Sequence, residues 1–210
     1  QAAHSSFFAP SSRAFARALV VVQEIFGVNH HMRNVCESFA AEGYAVIAPA
    51  LFDRVGRGIE LGYEAADVAQ GRELRGKIDD GQTVLDILAA AAALPAGVKR
   101  GIVGYCWGGT IAWFGATRTS AFSAACGWYG GGIAAAKNEV ARCPVQMHFG
   151  EADASIPMTD IAAIKAAQPG VDIHVYGGGH GFGCDERGSY VKADYELAQQ
   201  RTLAFFGKHL

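Results

Sequence analysis

The sequence predicts an α/β protein built on a mainly parallel, doubly wound sheet with helices on both faces. Three observations carry this. Short apolar runs such as Ala18-Leu19-Val20-Val21-Val22 lack polar alternation, as strands covered on both faces do. Segments of helical period separate one run from the next. Glycine, at 27 of 210 residues, exceeds its usual ~7% and supplies the tight turns that such a chain needs.

Taken in order, Ala18–Val22 is predicted as a buried strand, with few residues before it. Ala14–Ala18 runs into that strand without a turn, so an antiparallel hairpin at this sheet edge is expected to be shortened. Asn29 is placed to cap a helix through Ala41, with Met32, Val35, Cys36 and Phe39 on one face and Gly43 ending it. Tyr44–Ile47 reads as a strand and Ala50–Gly62 as a loop. Glu64–Leu94 is mostly helical, broken near Gly71 or Asp79–Gly81, and Pro95 stops it. Then follow a strand over Gly101–Gly104, a helix over Trp107–Thr117, and strands over Phe122–Tyr129 and Val145–Gly150. Ser155-Ile156-Pro157 opens a helix to Gln168, Val171–Tyr176 is a strand, and Lys192–Phe206 is a closing helix. No repeat or linker interrupts residues 1–210, which read as a single domain.

Composition excludes several classes. Half the residues are apolar and 18% charged, which excludes disorder. A chain of this length buries roughly 70% of its unfolded surface and needs no disulfide or metal staple. A net charge of −2 leaves no footprint for nucleic acid or an anionic membrane. The longest apolar stretch, Ile87–Leu94, is too short to span a bilayer. Gln1-Ala2-Ala3-His4 carries no basic or long apolar leader, so no signal peptide is read. Five cysteines, an odd number with no C-x-x-C pair, indicate reduced thiols and a cytoplasmic location. The sequence assigns no oligomeric state.

In doubly wound sheets the chemistry sits at the carboxyl ends of the strands. There, Gly104-Tyr105-Cys106-Trp107-Gly108-Gly109 lies between a predicted strand and helix, with the nucleophile-elbow pattern and Cys in the place of the usual Ser. Glycines flank a nucleophile so placed because a sharp strand-to-helix turn leaves no room for side chains. The helix N-terminus behind Cys106 favours a thiolate. Asp153 follows a later strand, with Glu151 as its competitor, and His180 follows the next in Gly177-Gly178-Gly179-His180-Gly181-Phe182. Nucleophile, acid, histidine is the chain order of the α/β-hydrolase triad. No metal is expected: His30-His31 has no third ligand at useful spacing. His148 and His174 fall within strands as packed side chains, and Gly130–Gly132 reads as a turn.

Gln23-Glu24-Ile25-Phe26-Gly27, the Cys106 elbow and His180-Gly181-Phe182, in that order, resemble the dienelactone hydrolase family, over about Ala18 to Phe206. The resemblance implies an α/β-hydrolase fold and hydrolysis of the cyclic enol-lactone dienelactone to maleylacetate, without a cofactor. It implies that Glu24 assists formation of the thiolate when a small lactone or ester substrate binds. It assigns the backbone N–H groups of Ile25 and Trp107 to an oxyanion hole. For a substrate carboxylate it supplies arginines. Arg54 is the nearest candidate for one, and Cys184 stands at the position of the other, with Arg187 close by as a replacement. Phe26 and Tyr129 resemble positions in the pocket wall.

Cys184 keeps a broader ester or thioester hydrolase in play. A catalytically silent fold that binds a small ligand or protein is the reading from a different class, and no missing triad member favours it. A class I glutamine amidotransferase is excluded, because His180 is followed by Gly181 and Phe182 rather than by x-Glu.

Overall fold

Strand-forming runs that are apolar on both faces must be covered on both faces, and the chain does this with helices. The computed structural model describes residues 6–9 and 16–210. In chain order the elements are β1 (Ser6–Ala9), β2 (Arg17–Val22), α1 (His30–Ala41), β3 (Tyr44–Pro49), α2 (Ala65–Gly76), α3 (Asp80–Ala93) and β4 (Lys99–Tyr105). They continue with α4 (Trp107–Arg118), β5 (Ala124–Trp128), β6 (Val145–Gly150), α5 (Met158–Ala167), β7 (Asp172–Tyr176) and α6 (Lys192–His209). The strands form one sheet in the order β1-β3-β2-β4-β5-β6-β7. All neighbours pair in parallel except β1, which lies antiparallel to β3 with Phe7 opposite Ala48.

The expected edge hairpin is therefore a different arrangement: β1 pairs with β3 and not with the following strand β2. Gln1–His4 and Ala14, used above in reading the terminus, lie outside the described residues. The sheet order reverses between β2 and β4, where Val22 pairs with Gly104. That reversal makes a crevice beyond the strand ends. The loops leaving β2 and β4 flank it, and they carry Glu24 and Cys106.

Local chemistry explains most boundaries. Asn29 caps α1, its side chain accepting from Met32 N at 3.2 Å, and the helix buries His31, Met32, Val35, Cys36 and Phe39. The long helical span after Glu64 divides where Asp79 caps α3 in a capping box with Gln82. Gly71 does not break α2; it is buried within it. Part of the 50–62 loop winds into a 3-10 turn, Leu51–Arg54. Strands β2 and β3 are buried almost throughout, and Trp113, Trp128, Phe39 and Phe149 fill the space between sheet and helices. Each such fully buried apolar side chain contributes roughly 1.5–3 kcal/mol.

Candidate active site

The chain turns from β4 into α4 at Cys106, whose backbone takes φ 55° and ψ −117°. A non-glycine residue held there stores about 1–3 kcal/mol of strain. The surrounding glycines permit it. A Cβ on Gly104 would overlap the Gly108 carbonyl, one on Gly108 would overlap the carbonyls of Val22 and Gln23, and one on Gly109 would overlap that of Trp128. Cys106 N donates to Trp128 O at 3.0 Å, pinning the turn to β5. Tyr129, with φ 39°, is the other non-glycine residue of positive φ among the described residues, and its ring lies edge-on to His180 at 5.3 Å.

His180 joins the strand ends together. Its Nε2 lies 3.1 Å from Cys106 Sγ and its Nδ1 2.7 Å from Asp153 Oδ2. Asp153 is buried, and its other oxygen accepts from Ser155 N at 2.8 Å. Glu151 is exposed, so geometry separates the two acidic candidates. Burial pulls the His180 imidazole down, but hydrogen bonds to Asp153 and Cys106, and their charges, outweigh it and raise the group to about 10. Burial pushes the remaining thiols up, Cys143 to about 11, Cys126 and Cys184 to about 12, and Cys36 further.

Cys106 and His180 open onto a cavity of about 250 Å³ that Ile25, Phe26, Trp107 and Arg187 also line. Ile25 and Trp107 thus sit at the same cavity as the thiol. The Trp107 N–H belongs to the first turn of α4, where backbone donors have no partner within the helix. The Ile25 loop is clamped from three directions. Gln23 Nε2 donates to Glu24 O at 3.2 Å while Gln23 Oε1 accepts from Leu51 N at 3.0 Å, Leu61 N donates to Phe26 O at 2.8 Å, and Gly71 packs against the Ile25 carbonyl.

Glu24 is fully buried, and Arg187 Nη1 donates to its Oε1 at 3.3 Å. Arg187 also lies over the rings of Phe26 and Tyr63. Arg54 is not brought to this cavity. It forms a two-pronged pair with Asp86, both contacts at 2.7 Å, and lines a separate concavity of about 1030 Å³. The 3-10 turn that ends at Arg54 aims its guanidinium at α3. Tyr129 is fully buried behind His180 rather than lining the cavity.

Two arginines at the cavity, Arg72 and Arg75, escaped the sequence reading. Both lie on α2, and with Val68 they form an i, i+4, i+7 row facing the cavity. That row was visible as a pattern, but which element it faces was not. His31 likewise gains what its sequence neighbourhood lacks: Glu24 and Cys184 place ligand atoms near it, all three within 4.8 Å of one another. Among the described residues, no helix is long and apolar enough to cross a membrane.

The family model described as "Dienelactone hydrolase family" matches residues 5–210. A Synechocystis protein named "Putative carboxymethylenebutenolidase" is 37% identical, over 91% of this chain and 86% of its own. A Klebsiella pneumoniae crystal structure, described as "Putative Dienelactone Hydrolase", superposes with a TM-score of 0.82 at 31% identity, over 98% of this chain and 93% of that one. A dienelactone hydrolase-like promiscuous phosphotriesterase from metagenomic libraries superposes at 0.78 over 99% of both chains. At 19% identity that likeness shows the shared fold, of α/β-hydrolase type.

Proposed function

Because the chain belongs to the dienelactone hydrolase family and is a carboxylic-ester hydrolase, we propose that it opens an enol-lactone ring, dienelactone to maleylacetate, with Cys106 as nucleophile. The observation that carries this reading is the unbroken chain Cys106 Sγ–His180–Asp153, at 3.1 and 2.7 Å, on a cavity edged by guanidinium groups.

Cys106 sulfur attacks the lactone carbonyl carbon, and its proton resides on His180, which Asp153 orients and stabilises as imidazolium. The carbonyl oxygen becomes an oxyanion held by the N–H groups of Ile25 and Trp107, each such donor being worth roughly 3 kcal/mol of barrier. Collapse breaks the ring C–O bond, and His180 returns its proton to the departing enol oxygen. A water then adds to the thioester, giving up a proton to His180. The C–S bond breaks, the carboxylic acid leaves, and the thiol is restored. One water is consumed and no cofactor is used.

Arg187, Arg72 and Arg75 receive the substrate carboxylate, in the role first expected of Arg54. An incoming carboxylate competes for Arg187 with Glu24. Release of Glu24 from that ion pair frees it to assist transfer of the thiol proton to His180, which ties thiolate formation to substrate arrival. Tyr129 supports the imidazole ring from behind and Phe26 forms the apolar wall. The reading places the enzyme in the cytoplasm, where a reducing pool preserves a thiol nucleophile.

Following dienelactone absorbance with wild type and Cys106→Ala, which leaves no nucleophile at the elbow, tests the proposal. Turnover lost in a variant of unchanged far-UV circular dichroism is the expected result, and retained turnover removes Cys106 from the chemistry. The broader esterase or thioesterase reading draws on Cys184, a small neutral residue near Arg187 where the resemblance has an arginine. If neutral esters exceed dienelactone in kcat/KM, that reading replaces the narrower one.

A further inference from the structure

Glu24, His31 and Cys184 come from three separate segments: the loop after β2, the first turn of α1 and the loop after His180. All three side chains are buried, at 0%, 3% and 0% exposure, and their ligand atoms lie within 4.8 Å of one another. Glu24 Oε2 and His31 Nε2 are buried without a hydrogen-bond partner. A buried polar atom left so costs about 1–3 kcal/mol, and two such atoms on residues this close favour a ligand that satisfies both. The occupant's nature follows from the other end of the imidazole. His31 Nδ1 lies 3.0 Å from Asp185 Oδ1, so this nitrogen donates and Nε2 presents a bare lone pair inward. A carboxylate behind a histidine is the arrangement that orients metal-ligating imidazoles. The donor set, one carboxylate oxygen, one imidazole nitrogen and one sulfur, suits a borderline-soft divalent cation.

We propose that Glu24, His31 and Cys184 form a three-ligand site for a divalent cation of the zinc class, with the fourth position open. Ligands at tetrahedral bond lengths stand about 3.3–3.6 Å apart, so the widest pair closes by roughly an ångström on binding. Cys184 loses its S–H proton to solvent, Glu24 and the thiolate together balance the cation's charge, and Tyr63, which hydrogen-bonds Cys184, steadies the sulfur. Arg187 beside Glu24 opposes the cation and so limits affinity. The site stands on this geometry alone. Only its consequence, inhibition through capture of Glu24, rests on the proposed reaction.

Cobalt(II) is the probe, titrated into the full chain after treatment with chelator and reductant. Wild type is expected to bind one equivalent with visible ligand-field bands and a near-ultraviolet thiolate-to-cobalt charge-transfer band. The charge-transfer band should survive in Cys106→Ser, which removes the other thiol–imidazole pair, and vanish in Cys184→Ser. Asp185→Asn, a change at an exposed residue that spares the ligands, should weaken binding about 10- to 100-fold. No charge-transfer band in wild type overturns the proposal. So does a band lost in Cys106→Ser yet retained in Cys184→Ser, or affinity unchanged in Asp185→Asn.

Discussion

Asp153 and Glu151 lie two residues apart on one loop, and burial and the hydrogen bond to His180 set them apart. Asp153 holds the imidazole at 2.7 Å from a buried position, whereas Glu151 faces solvent. Asp153→Asn should lower kcat roughly 10³- to 10⁴-fold by favouring the wrong tautomer of His180, with little effect on the fold. Glu151→Gln should stay within about twofold, and steady-state kinetics on both variants decides the assignment. The arginines divide in the same way. Arg54→Ala removes two charge-assisted hydrogen bonds from the buried Asp86 carboxylate and should cost about 2 kcal/mol in urea unfolding while leaving KM unchanged. Arg72→Ala and Arg75→Ala should instead raise KM for substrates bearing a carboxylate, and the paired measurements separate anchoring from folding. That Cys106, Asp153 and His180 converge was legible in the sequence because each follows a strand, and parallel strands deliver their ends to one edge. The places of Arg54, Arg72 and Arg75 were not, because a long side chain's destination depends on the turn that launches it.

At the scale of elements, helix α2 meets the Ile25 loop through a residue with no side chain. Of the two breaks the sequence allows, at Gly71 or at Asp79–Gly81, the second is the one taken, and Gly71 lies buried inside α2 against the Ile25 carbonyl. Its absence of a Cβ is a packing requirement rather than a flexibility signal. Helix propensity alone predicts that Gly71→Ala stabilises by up to ~1 kcal/mol. Contact predicts the reverse, since the new methyl overlaps the carbonyl and displaces the loop bearing the proposed oxyanion donor. We expect Gly71→Ala to lower both Tm and kcat, the latter at least about tenfold, as expected when one oxyanion donor is misplaced. Gly76→Ala in the last turn of the same helix is the control. A Cβ there meets nothing within 4 Å, so it should hold activity and raise Tm slightly. Tm and kcat measured on the two variants test the contact. The elements themselves were readable from period and caps, as the Asn29 cap on α1 demonstrates. Contacts between elements carry no sequence period, and Gly71 shows what that hides.

For the whole molecule, the parallel sheet places two histidines with opposite demands on the proton. His148, in β6, is fully buried among Tyr176 Oη at 2.7 Å, Gln146 Oε1 at 3.0 Å and Thr202 Oγ1 at 3.0 Å. Burial first, then the charges of His174 and Arg201, holds it well below the ordinary 6.5. His180 is raised from 6.5 to about 10. The unfolded chain therefore takes up a proton at His148 that the fold refuses, and stability from this group is present above pH 6.5 and lost as pH falls from there toward the folded value. His180 has the opposite sign: its contribution is complete below pH 6.5 and disappears as pH rises through about 10. His148→Gln, which removes the titration and retains hydrogen-bonding groups, should be less stable than wild type at neutral pH. That gap should narrow as pH falls below 6.5. His180→Gln should show its largest deficit below pH 6.5, narrowing as pH rises toward 10. Urea midpoints of the three proteins across this range check both signs. A gap that stays constant with pH would mean that packing, and not the proton, is what each histidine supplies.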